Sequence, residues 1–138
     1  MKTTAIPMVM AALICAAQAQ KQEPPSDPLS KHLVKPSLIF SKAEAIGLSS
    51  EQHDQIRTVV EKAHGEIGAS QKALRPAYSA LQSELAESPV DIEAATQQLD
   101  KVLDLERGMK RLHLRMLAEA NNLLSSEQRA KLRAMNLS

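Results

Sequence analysis

The same five-residue phrase, Leu-Ser-Ser-Glu-Gln, occurs twice in the chain, at residues 48–52 and at residues 124–128. In each copy a Ser stands three residues before a Gln. This is the spacing of a capping box, in which each of the two side chains bonds to the backbone amide of the other residue. The phrase therefore predicts two helix starts, one on each side of the chain's centre. The residues expected to fix these starts are Leu48, Ser49, Gln52, Leu124, Ser125 and Gln128.

The other helix boundaries follow from residues that start or stop helices. Pro36 suits the first position of a helix because its φ is fixed, and Gly47 suits the left-handed position after one. Asp91, after Ser88 and Pro89, can cap a further helix. The predicted helices lie at about residues 36–47, from 50 to between 84 and 87, from 91 to 123 or 124, and 126–135.

Apolar residues recur every seven positions along both long segments, which is the pattern of helices with one buried face. Pro76 interrupts the first of these segments, so we expect that helix to bend there. Strand-like alternation is absent from the sequence. We therefore predict an all-α fold in which a long antiparallel hairpin is flanked by short N- and C-terminal helices, four in total. The heptad positions are His53, Val60, Ile67, Leu74 and Leu81 in the first segment, and Ala95, Val102, Met109, Met116 and Leu123 in the second.

The first 30 residues differ in composition from the rest. Residues 1–19 contain Lys2, an apolar run and a final small-residue stretch, which are the parts of a cleaved secretory signal peptide. A lipoprotein signal with Cys15 as the new terminus is the alternative, but Ile14 stands where such signals have a small residue. Residues 20–30 are Pro-rich and predict a flexible tether. This division leaves residues 31–138 as a single all-helical domain.

Composition excludes several functional classes. The only cysteine, Cys15, lies in the signal peptide, so its removal leaves no disulfide or thiolate site. Loss of Lys2 leaves 16 basic residues (17 minus 1) against 16 acidic ones, a balance that argues against nucleic-acid binding. Phe40 and Tyr78 are the only aromatic residues. Since the sequence has no phosphate loop and no paired nucleophile and base, we expect neither enzymatic activity nor a cofactor.

These motifs resemble those of the Spy/CpxP-like family of periplasmic proteins, which is known by paired LTxxQ motifs and includes heavy-metal-resistance sensors. The resemblance covers about residues 37–135, with Ser in place of Thr in both motifs. It implies a cradle-shaped periplasmic homodimer that binds unfolded or misfolded proteins without ATP, or that senses envelope stress or metals. Docking on a membrane sensor protein is a further possibility. A hairpin this thin buries little core by itself, which also favours dimerisation.

A metal site is one functional hypothesis. If the hairpin turns near Pro89, His64 and His113 lie level across it, with Glu61 and Met116 one turn away. Imidazole, carboxylate and thioether ligands would together suit nickel, copper or zinc. The alternative is that two histidines face each other by chance at the edge of the apolar stripe. Metal-sensing relatives carry two histidines four residues apart on an early helix. This sequence departs from that pattern, because Pro36 stands four residues after His32.

A client-binding surface is the other hypothesis. Four basic residues of the third predicted helix are spaced to share one strip, which would attract acidic segments of unfolded proteins while nearby Leu and Met contact apolar ones. The alternative is a solvated helix face paired with Asp104 and Glu106. Met109 and Met116 are either adaptable client contacts or core residues. The basic residues of the strip are Arg107, Lys110, Arg111 and Arg115.

Overall fold

The structure, a computed structural model, describes residues 32–136. The predicted signal peptide, Cys15 and the Pro-rich tether lie outside the described residues. Within residues 32–136 every regular element is a helix, which confirms the all-α class. The helices are α1 (Pro36–Ser41), α2 (Ala43–Ile46), α3 (Ser50–Ala86), α4 (Ile92–Asn122) and α5 (Ser126–Asn136).

The first predicted helix is two short helices, so the described part of the chain has five helices and the predicted number of four was wrong. The interruption is at Lys42, whose backbone leaves the helical region (φ −110°, ψ 14°). The Leu38 carbonyl accepts from both the Ser41 hydroxyl, at 3.0 Å, and the Lys42 amide, at 3.1 Å. Gly47 ends α2 in the left-handed conformation (φ 66°), as predicted.

Helices α3 and α4 pack along each other as the predicted hairpin. Helix α3 continues without interruption through Pro76, although the proline leaves the carbonyl of Lys72 without its usual helical donor. Helix α4 begins where the Asp91 carboxylate accepts a hydrogen bond from the Ala94 amide at 3.0 Å. The Asp91 cap therefore fixes where α4 begins.

The core is concentrated at one end of the hairpin, where the short helices contact it. Here a base cluster includes residues from α1, α2, both long helices and α5. A smaller second cluster lies one to two turns further along the hairpin. None of the helices in residues 32–136 is long and apolar enough to cross a membrane. The base cluster comprises Val34, Ile39, Ile46, Ile56, Ala120, Leu124 and Leu132, and the second cluster comprises Ala63, Met116 and Leu117.

Candidate functional site

Both copies of the repeated phrase form complete capping boxes. The Ser49 hydroxyl accepts from the Gln52 amide at 3.1 Å, and the Gln52 side-chain oxygen accepts from the Ser49 amide at 3.0 Å. Ser125 and Gln128 make the same two bonds, at 3.1 and 2.9 Å. The two helix starts thus have the same local geometry.

The two boxes also bind each other, which the sequence did not reveal. The side-chain carboxamides of Gln52 and Gln128 form a doubly hydrogen-bonded pair, with N···O distances of 2.9 and 3.0 Å. Each amide also donates to the carbonyl just before the other motif's Leu: Gln52 to Leu123 at 2.8 Å, and Gln128 to Gly47 at 3.2 Å. We call the Gln52–Gln128 pair the clasp.

The clasp ties the start of α3 to the start of α5. Gln128 is buried, and the leucines of the two motifs pack in the base cluster, with Leu124 buried and Leu48 half-buried. Arg129 adds to this corner by donating to the Leu124 carbonyl at 3.0 Å. The repetition of the motif was the available signal for this pairing, because the carboxamides of two Gln residues can each donate to and accept from the other.

One exposed side of α4 combines basic and apolar groups. Leu103 and Leu114 are each 43% exposed, and between them lie Arg107, Lys110 and Arg111. These residues line an open depression of about 920 Å³, including the solvent above it. We call these five residues the α4 face. This side of α4 therefore presents both apolar and positively charged groups to solvent.

The cations of the α4 face differ in how they are paired. Arg107 forms an ion pair with Asp104 at 3.1 Å, whereas Lys110 and Arg111 form none within residues 32–136. Glu106, at the edge of the depression, accepts instead from the Tyr78 hydroxyl at 2.6 Å. This hydrogen bond raises the pKa of Tyr78 above its ordinary value. Two of the three cations are therefore available to an acidic partner.

Arg115 does not belong to the α4 face, although its spacing predicted that it would. Its guanidinium binds Glu119 at 2.6 Å, and the same contact raises the pKa of Arg115. Together with Lys62 and Glu66 it lines a separate small groove between α3 and α4. The four-residue spacing placed Arg115 on the strip, but in the structure it pairs with Glu119 of its own helix and lines the groove beside α3.

The proposed metal ligands lie in different environments. Glu61, His64 and His113 are exposed, whereas Met116 is only 5% exposed and packs in the second cluster against Ala63. Residues 32–136 contain no group of three or more His, Cys, Asp or Glu side chains positioned to hold a metal ion.

Asn121 is a buried polar residue that sequence reasoning missed. It is 4% exposed, and its side chain bonds to both backbone groups of Val34: the oxygen accepts from the amide at 3.0 Å and the nitrogen donates to the carbonyl at 2.8 Å. The same nitrogen donates to the Leu117 carbonyl at 2.8 Å. A single Asn on the edge of an apolar stripe gives no sequence signal, because its partner lies 87 residues away.

Comparison with known proteins gives one result. A family model described as heavy-metal resistance matches residues 7–133, which is nearly the whole chain. No curated protein and no solved structure matches the chain. The family match covers both copies of the motif, the hairpin between them and the α4 face.

Proposed function

The chain belongs to the heavy-metal resistance family, which is Spy/CpxP-like, and we propose that it is a non-enzymatic periplasmic protein that captures unfolded polypeptides without ATP or a cofactor. Capture would be reversible, because the exposed apolar area is modest and the cations act through solvent. The proposed partners are unfolded periplasmic proteins and a second copy of the chain.

The α4 face is the observation that carries this proposal. An unfolded chain offers apolar side chains and carboxylates in no fixed order, so a surface that binds many such chains needs both kinds of contact without a deep pocket. Leu103 and Leu114 supply the apolar contact, and Lys110 and Arg111 supply the contact to carboxylates. Screening limits the reach of these charges to about 8 Å at physiological salt, so they would act on segments already near the leucines.

We expect the mature protein to delay aggregation of a chemically denatured client at a stoichiometric ratio, measured by light scattering. The double substitution Lys110→Glu, Arg111→Glu should shorten this delay at least about threefold, because the α4 face would then repel acidic segments. Added salt should shorten the delay given by the unsubstituted protein as well.

The matched control is Lys72→Glu with Arg75→Glu. This pair reverses the same two residue types at exposed positions of α3, outside the α4 face. If it shortens the delay as much as the α4 pair does, overall charge and not the α4 face governs capture. If the unsubstituted protein gives no delay, the chaperone proposal fails.

Metal binding is the second candidate function, and the family description is the observation that favours it. The candidate ligands are His64 and His113, with Glu61 and Met116 nearby in sequence. A role in regulating a membrane sensor protein would follow from the same family membership. Under this candidate the metal is cargo or signal and not a catalytic cofactor.

Calorimetric titration with nickel, copper and zinc tests this second candidate. A metal site at His64 and His113 requires a dissociation constant at or below about 1 µM, and His113→Ala should raise this constant at least about tenfold. The matched control is His32→Ala, which removes an exposed histidine outside the proposed site. Weaker binding, or equal loss in both variants, contradicts a site at His64 and His113.

A further inference from the structure

The residues before α1 occupy a slot at the base of the hairpin. We call Leu33 and Val34 the arm. Leu33 packs against the second cluster, and Val34 is buried in the base cluster. Asn121 lies between the two contacts and bonds to both backbone groups of Val34. The slot therefore consists of two adjacent apolar contacts on either side of one carboxamide.

Asn121 binds the arm as a neighbouring β-strand would. In an antiparallel pair, one residue exchanges both its N–H and its C=O with a single partner. The Asn121 carboxamide supplies the same acceptor and donor to Val34, at 3.0 and 2.8 Å. A backbone N–H and C=O are present in every non-proline residue. The two hydrogen bonds therefore select an exposed backbone and not a particular side chain.

The apolar contacts add a preference for side chains. A peptide that binds by its backbone takes its specificity from the pockets beside it. Here the walls are apolar: Leu33 packs against the second cluster of Ala63, Met116 and Leu117, and Val34 belongs to the base cluster with Ile56 and Ala120. The slot thus fits an extended segment with two neighbouring aliphatic residues.

The arm is held by few polar contacts. Within residues 32–136, the hydrogen bonds made by the arm are the two to Asn121. The next residue, Lys35, has an extended backbone (φ −68°, ψ 139°) and already accepts the first helical bonds of α1. Peeling the arm back to Lys35 would therefore open the slot without breaking any hydrogen bond of α1.

We propose that the slot is a binding site for an extended, aliphatic segment of an unfolded polypeptide, and that the arm is a resident competitor which such a segment displaces. This inference rests on the proposed capture of unfolded chains. The α4 face recognises charge and apolar area. The slot would add a second contact, which recognises the backbone.

The probe for the test is a fluorescent synthetic peptide with the sequence of residues 29–36, titrated into the mature protein and followed by anisotropy. In Val34→Asp a buried carboxylate would expel the arm. This variant should bind the probe on the order of tenfold more tightly than the unsubstituted protein, because the competitor is removed. Adding Asn121→Ala to it should abolish the gain.

The matched control is His32→Asp, which introduces the same carboxylate at an exposed position two residues earlier and should bind the probe as the unsubstituted protein does. A probe with Ser in place of both Leu33 and Val34 should not bind. If Val34→Asp keeps its helicity by circular dichroism and does not gain affinity for the probe, the proposal is overturned.

Should Val34→Asp not fold, hydrogen exchange on the unsubstituted protein decides the question. Excess probe should speed exchange of the Val34 amide of the protein, and an unchanged rate overturns the proposal. The proposed function is tested separately by the aggregation assay. Lys110→Glu with Arg111→Glu should shorten the aggregation delay and still bind the probe. Failure of the slot and failure of the α4 face therefore give different results.

Discussion

Replacing Gln128 with Ala is expected to lower the free energy of unfolding by about 3 to 5 kcal/mol, since it removes a helix cap and four hydrogen bonds at the base of the hairpin. The groups that lose a bond are the Ser125 amide, the Gly47 carbonyl and both polar atoms of Gln52. The melting temperature should fall by at least about 12 °C, as measured by circular dichroism.

The control for the clasp is Gln55→Ala. Gln55 is the same residue type, one turn further along α3, and it is exposed with a single 3.4 Å contact to Glu51. It should change the free energy of unfolding by less than about 0.5 kcal/mol. In the double mutant Gln52→Ala, Gln128→Ala, the loss should be smaller than the sum of the single losses by at least about 1 kcal/mol. Strict additivity would contradict the clasp.

Replacing Asn121 with Ala is expected to lower the free energy of unfolding by about 2 to 3 kcal/mol, because both hydrogen bonds that hold the arm would be lost. The third bond of Asn121, to the Leu117 carbonyl, would be lost as well. Denaturant unfolding measures the change in the free energy of unfolding. Hydrogen exchange should also show loss of protection at the Val34 amide.

The adjacent residue provides the control. Asn122→Ala changes the same residue type at an exposed position of the same helix end, so it should alter the free energy of unfolding by less than about 0.5 kcal/mol. Equal effects at Asn121 and Asn122 would mean that helix propensity and not the bonds to Val34 determines the loss. The two positions therefore separate the tertiary contact from the local one.

Local signals were enough to predict most of the helix boundaries. The capping boxes, Asp91 and Gly47 each act on the backbone within about four residues, so their effect can be judged without knowing the fold. The split at Lys42 was missed because the residue pattern continues across it.

The candidate functional residues were harder to predict. Arg115 has the spacing of the basic strip, but it pairs with Glu119 and lines the groove between α3 and α4. Met116 was offered as a metal ligand, a client contact or a core residue, and the structure buries it in the second cluster. Helical spacing predicts which residues share a helix face, whereas the packing of the neighbouring helix decides which of those faces stays exposed.

The sequence by itself determined the helical class, the positions of the caps and the extents of the two long helices, because each depends on bonds or periodicity within one segment. Only the tertiary structure decided that the two Leu-Ser-Ser-Glu-Gln motifs bind each other and that Asn121 holds Val34. The physical reason is distance along the chain: Gln52 and Gln128 are separated by 76 positions, and Val34 and Asn121 by 87. Contacts of that separation form only when the hairpin closes and its base packs.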